Sequence, residues 1–149
     1  LKFSPARSYM KNETRRWIRF ARTNLGAARC VLESGYLNPC LQEAQQAVEK
    51  ALKAVLVEHG VAIKKTHSAF LLRENVLNLG MCVPLDDADC AFLDSIYLPS
   101  KYPLGSVLPD GDPDEEQCRQ CLAIAEKTLT AIGRMLGENG EDDDSPIQS

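Results

Sequence analysis

No apolar run in this 149-residue chain approaches the roughly 20 residues that cross a bilayer, so no membrane span is expected. No stretch alternates apolar and polar residues with the period of a strand, and no internal repeat is present. Helices remain as the building material. The phosphate-cradling loop GxxxxGK[S/T] is missing, and no carboxylate pair is visibly placed for Mg²⁺. No nucleophile stands beside a base and no metal-ligand cluster is visible, so the chain is not expected to be an enzyme or to require a cofactor. Cys118-x-x-Cys121 lacks a second CxxC and has no histidine near it in sequence, which weakens a zinc or redox reading. Its i, i+3 spacing puts both sulfurs on one helical face, where thiols pack as small hydrophobes. The six cysteines (30, 40, 82, 90, 118 and 121) are read as free thiols of a reducing, cytoplasmic compartment, since a helical domain of this size needs no disulfides. The first residue is leucine, and the chain is read as a piece of a longer protein.

Acid is scarce in the first half and base in the second. Up to Arg73, 13 lysines and arginines face 5 acids; from Glu74 onward, 4 face 16. The net charge of −4 therefore conceals a basic portion suited to anions and an acidic portion that repels them. The alternative is that much of the acid lies in a solvated tail.

What is present is organised around Asn38–His59. Asn38-Pro39 reads as a helix cap followed by proline in the first turn, where a missing N–H costs nothing, and Gly60 reads as the stop. Leu41, Ala44, Gln45, Val48, Leu52, Val55 and Leu56 recur at helical spacing and mark one apolar face. The opposite face carries Glu43, Gln46, Glu49, Lys50 and Lys53, with Glu49 and Lys53 in the favourable i, i+4 order.

Residues 1–12 are expected to form a loose arm. A first helix begins at Glu13 with Thr14 as its cap, buries Trp17, Ala21, Asn24, Leu25, Ala28 and Leu32, and ends at Gly35. Arg15, Arg19, Arg22 and Arg29 share one face of it with Gly26, leaving a low surface that suits either an anion or plain solvation. After the central helix, Lys64, Lys65, Thr66 and His67 crowd a loop just before the next helix start, where unpaired N–H groups favour phosphate. The alternative role for His67 is a hydrogen bond pinning this loop to its neighbour. The third helix is expected over Ser68–Leu79 with Leu71, Leu72, Val76 and Leu79 inward. A fourth follows Asp86-Asp87-Ala88-Asp89 and buries Phe92, Leu93, Ile96 and Tyr97. A loop from Pro99 to Pro109 holds Lys101 and Tyr102. Asp112-Pro113-Asp114-Glu115 opens the fifth helix as a capping-box variant, and Cys118, Cys121, Leu122, Ala125, Leu129, Ile132 and Leu136 line its inner face. Residues 138–149 are acidic and nearly free of apolar groups, and are expected to be disordered. The fold predicted for residues 13–137 is an all-α, up-and-down bundle of five helices.

The ordered set Trp17, Ala21, Leu25, Ala28, Gly35-Tyr36, then Ala44, Gln46-Ala47, Glu49-Lys50-Ala51, Lys53-Ala54, Gly60, Lys65-Thr66-His67 and Tyr102-Pro103 resembles the HEPN domain family, the higher eukaryote and prokaryote nucleotide-binding domains. The resemblance covers about residues 13–137. It implies a helical bundle that pairs as a homodimer, with a purine nucleotide (GTP or ATP) held in a basic groove. Carried onto this chain, the groove would take Lys50, Lys53, Lys64, Lys65, Thr66, His67, Lys101 and Tyr102. The resemblance also implies a place in a larger chaperone-like, protein-quality-control protein, with no nucleic acid expected as partner. Two departures matter. The family's Arg-Tyr-Pro is Lys101-Tyr102-Pro103 here, which keeps the charge but loses the bidentate fork. Ribonuclease members carry an arginine four to six residues before a catalytic histidine, and neither His59 nor His67 has one, so RNA hydrolysis is not expected. The alternative to nucleotide binding is a purely structural dimer whose basic stripe meets an acidic partner.

Overall fold

A computed structural model describes residues 10–63, 65–101 and 112–137. Five helices occur among them: α1 (Asn12–Glu33), α2 (Leu37–Glu58), α3 (Ala69–Leu77), α4 (Asp87–Lys101) and α5 (Glu115–Met135). The all-α bundle is the one the periodicities predict. The expected arm and tail fall almost wholly outside the described residues.

The helix starts differ from expectation in instructive ways. Thr14 does not cap α1; it sits inside the helix, fully buried, and its hydroxyl donates to Glu58 Oε1 at 2.8 Å. The start of α1 is thereby tied to the end of α2. Asn38 is likewise inside α2, whose cap position is Tyr36. In α5 the capping residue is Asp114, which accepts from the Gln117 N–H at 2.7 Å, while Gln117 Oε1 accepts from the Asp114 N–H at 3.0 Å. This reciprocal box leaves Pro113 just outside the helix. Asp86 and Asp89 make a similar exchange at the start of α4. That helix runs on through Pro99 to Lys101, so these two residues are not in a loop. Gly35 ends α1 at φ +85°, a conformation natural to glycine, and Tyr36 N–H returns to Val31 O at 2.8 Å.

The helix α2 is enclosed. All seven residues from Ala51 to Val57 are buried, which an amphipathic surface helix does not allow. α1 and α5 pack on α2 and on each other, and α3 and α4 do the same from another side. The turn at 34–36 makes α1 and α2 antiparallel. α5 runs parallel to α2: Cys118 Sγ donates to Leu37 O at 3.2 Å, and Cys121 Sγ lies 4.0 Å from Leu41 O. The register of α3 is partly corrected, because Leu71 is 52% exposed and Ala69 joins Leu72 and Val76 in the core. No described helix is long and apolar enough to cross a membrane.

Candidate functional site

The polar face of α2 is where the structure departs most from the sequence. Glu49 and Lys53 are only 4% and 7% exposed. Buried ions require partners, and these have them. Lys53 Nζ lies 2.8 Å from Glu49 Oε2. His67 Nδ1 stands 3.0 and 3.1 Å from the two carboxylate oxygens of Glu49. Gln45 Nε2 donates to Glu49 Oε1 at 3.4 Å. His67 is therefore the pin that holds the loop before α3 to α2. Its ring stacks on Tyr97 of α4, with centroids 4.4 Å apart and planes at 15°.

On the opposite flank of the same stripe stands α1. Lys53 Nζ lies 5.8 Å from the Trp17 ring centroid and Lys50 Nζ lies 5.6 Å from that of Phe20, both cation–π separations. Lys50 Nζ donates to Asn24 Oδ1 at 2.8 Å, and Asn24 Nδ2 donates to Glu43 Oε1 at 2.6 Å. Burial lowers the Lys50 ammonium pKa, with Glu43 and Glu49 opposing that effect. The polar stripe of α2 is thus a floor flanked by aromatic residues of α1 on one side and by His67 and Tyr97 on the other.

Of the residues selected from the sequence, Lys50, Lys53 and His67 meet at this stripe. Lys65 is exposed in the adjoining loop, and Thr66 is half-buried, its Oγ1 accepting from Ser68 N–H at 3.2 Å. Ser68 caps α3, its Oγ accepting from the Leu71 N–H at 3.3 Å. Lys101 closes α4. Lys64 and Tyr102 lie outside the described residues. Lys53 cannot offer a free ammonium to a ligand as its surface placement suggested, since Glu49 already holds it. Sequence reasoning missed Phe20 altogether, placed Trp17 in the core and took Tyr97 as core packing. The available signal was the i, i+3 pairing of Trp17 and Phe20 opposite the two lysines.

A second concavity of about 670 Å³ lies between α1 and α5. Arg22, Gly26 and Arg29 face Leu129 and Thr130 across it. Gly26 leaves open space where a Cβ would stand, as the arginine face implied. Arg29 is engaged by Glu126 of α5, with Nη2 to Oε2 at 2.9 Å. The thiols of Cys118 and Cys121 are fully buried core groups. Burial pushes Cys118 up to about 12 and Cys90 up to about 11, and raises Cys121 as well. Such thiols are protonated and inert at neutral pH.

Residues 14–135 match the family model described as HEPN domain. Among solved structures, ST0689, an archaeal HEPN homologue, aligns at a TM-score of 0.64 with 29% identity, covering 83% of this chain and 97% of that one. TT1696 from Thermus thermophilus aligns at 0.58 with 25% identity, covering 83% and 98%. None of the curated proteins matches the sequence.

Proposed function

The chain belongs to the HEPN domain family, and from that membership we propose that it is a homodimerising module that holds a purine nucleotide, GTP or ATP, without turning it over. The observation that carries this reading is the His67–Glu49 contact at 3.0 Å, which fixes the Lys65–His67 loop beside the lysines of α2. Exposed Lys65 supplies charge for phosphates, the sequence adds Lys64 and Lys101, and Lys50 keeps two of its three ammonium donors beyond Asn24. Lys53 and Glu49 set the floor. The missing arginine–histidine spacing argues against hydrolysis of RNA.

The order of motifs, the cysteines and the acidic end look most like the C-terminal domain of sacsin, a large chaperone-like protein. In such a cytoplasmic quality-control protein the module would contribute dimerisation and nucleotide sensing. One observation favours a purely structural dimer instead: the Lys53 ammonium is buried and already held by Glu49 at 2.8 Å, so it offers no charge to a ligand. Calorimetric titration with GTP and ATP decides between the two. Heats with a dissociation constant of about micromolar or weaker, falling as salt rises and lost in Lys50→Glu/Lys65→Glu, are expected. Absence of heat at millimolar nucleotide overturns nucleotide binding. Sedimentation showing a monomer at tens of micromolar protein overturns the dimer.

A further inference from the structure

We infer that the base of the nucleotide seats in a cleft of about 650 Å³ beside α1, lined by Asn12, Glu13, Arg16, Trp17, Phe20 and Lys50. This rests on the nucleotide reading above and adds to it the place and the chemistry of base recognition. The volume falls within the roughly 300–1,000 Å³ of small-molecule sites. Two aromatic side chains at i, i+3 make its lining mainly apolar, and both are half-buried, each with a face or edge left to the cleft. An aromatic platform next to cations is the chemistry that takes a planar, negatively substituted ligand: the rings stack on the base, which every nucleobase permits, and the cations meet its phosphates.

The cations are placed for that division. Arg16 adjoins Trp17 in sequence, is exposed, and offers a planar fork that fits phosphate in a bidentate manner. Lys50 enters from α2, steadied by Asn24. Glu13 and Asn12 supply acceptors for the amino group of a purine. The cleft shares Lys50 with the site already described and adjoins it through Trp17. Trp17 lies 5.8 Å from Lys53 Nζ, Lys53 is 2.8 Å from Glu49, and Glu49 is 3.0 Å from His67. A nucleotide seated by its base on Trp17 and Phe20 sets its phosphates at Arg16 and Lys50, on the rim of the cleft.

Trp17 is the single tryptophan of the chain, so tryptophan emission reports on this residue alone. The test titrates the whole chain with GTP and, separately, with inorganic tripolyphosphate, following tryptophan emission and calorimetric heat together. Expected is a change in Trp17 emission with GTP at the same midpoint as the heat, with tripolyphosphate binding but leaving the emission unaltered. Trp17→Leu should weaken GTP about tenfold while sparing tripolyphosphate, and Trp17→Phe should restore most of the loss, with helical circular dichroism showing both variants folded. GTP heat without any emission change overturns the assignment, as does equal weakening of GTP and tripolyphosphate in a folded Trp17→Leu. No heat from any nucleotide overturns the functional reading itself, which keeps the two failures apart.

Discussion

Replacing Glu49 with leucine should cost more than replacing its partner Lys53 with methionine, and replacing both should cost least. Glu49→Leu leaves the Lys53 ammonium, 7% exposed, without its carboxylate. Breaking a buried pair by removing one member costs about 3–5 kcal/mol, because the remaining charge is neither solvated nor paired. Against a total of roughly 5–15 kcal/mol, that is a large share. Lys53→Met is milder, since Glu49 retains His67 at 3.0 Å and Gln45 at 3.4 Å; the lost charge-assisted hydrogen bond suggests about 1.5–3 kcal/mol. The double change removes both ions from the interior and substitutes apolar groups of similar volume, which is often neutral or stabilising. It strands His67, whose side chain is 43% exposed and can turn to water, and removes the acceptor of Gln45 Nε2, a long contact of 3.4 Å. Urea unfolding of the three variants closes a double-mutant cycle with a coupling of at least about 2 kcal/mol. In a thermal melt the midpoint of Glu49→Leu should fall on the order of 10 °C. Additive single effects, or a Glu49→Leu cost below about 1 kcal/mol, would refute the argument that this pair is desolvated.

Other outcomes follow from the packing. Leu52 is fully buried at the centre of α2, so Leu52→Ala should cost about 2–5 kcal/mol in denaturant unfolding, and an unchanged midpoint would show the register of α2 to be wrong. Thiol labelling near pH 8 should modify Cys30 and Cys82, which are exposed, and spare Cys40, Cys90, Cys118 and Cys121 until the chain unfolds; simultaneous reaction of all six would contradict their burial. The thiol pKa of Cys90 and Cys118 is raised on folding above the ordinary 9.0, so their contribution is complete below that pH and is lost as pH rises through about 11 to about 12. Alkaline titration of stability should therefore fall over that window, and Cys118→Ser should alter the fall. Deleting residues 138–149 should leave helical circular dichroism per molecule nearly unchanged, and a large loss would show that the segment docks.

The number, order and type of the helices were legible because each carries a periodic apolar stripe, and glycine stops follow α1, α2, α3 and α5. The CxxC also read correctly, as core, from spacing alone. What the sequence hid was the enclosure of α2. A polar stripe of Glu49 and Lys53 looks like a solvated face until a third element covers it, and the covering residue, His67, lies 18 positions away. The caps of α1, α2 and α5 slipped by two to three residues, because α1 and α2 start at Lys11 and Tyr36 with no side-chain cap bond and Asp114, rather than Asp112, forms the box of α5. Thr14 was bonded elsewhere by a carboxylate from the far end of the next helix, which no local pattern reveals. Half of the candidate site was legible as charge; its aromatic wall was not, since Trp17 reads as a core residue and Phe20 falls off the apolar stripe, until α2's lysines are placed opposite them.

The parallel run of α5 along α2 has a consequence for the order in which the molecule assembles and opens. α1 and α2 meet through a three-residue turn, a closure that costs little chain entropy and forms fast. α5 must instead return to the starting end of α2, and the chain between Glu58 and Glu115, with α3 and α4 inside it, is the excursion that allows this. The contacts between Cys118 and Leu37 span 81 positions and can be gained only after that excursion is complete. α5 is thus the element that docks last and, in native-state hydrogen exchange, the one whose amides should open together at a free energy below that of the α1–α2 pair. The helical hairpin bearing Trp17, Phe20, Lys50 and Lys53 belongs to the slowest-exchanging unit, and its groove persists through openings that release α5.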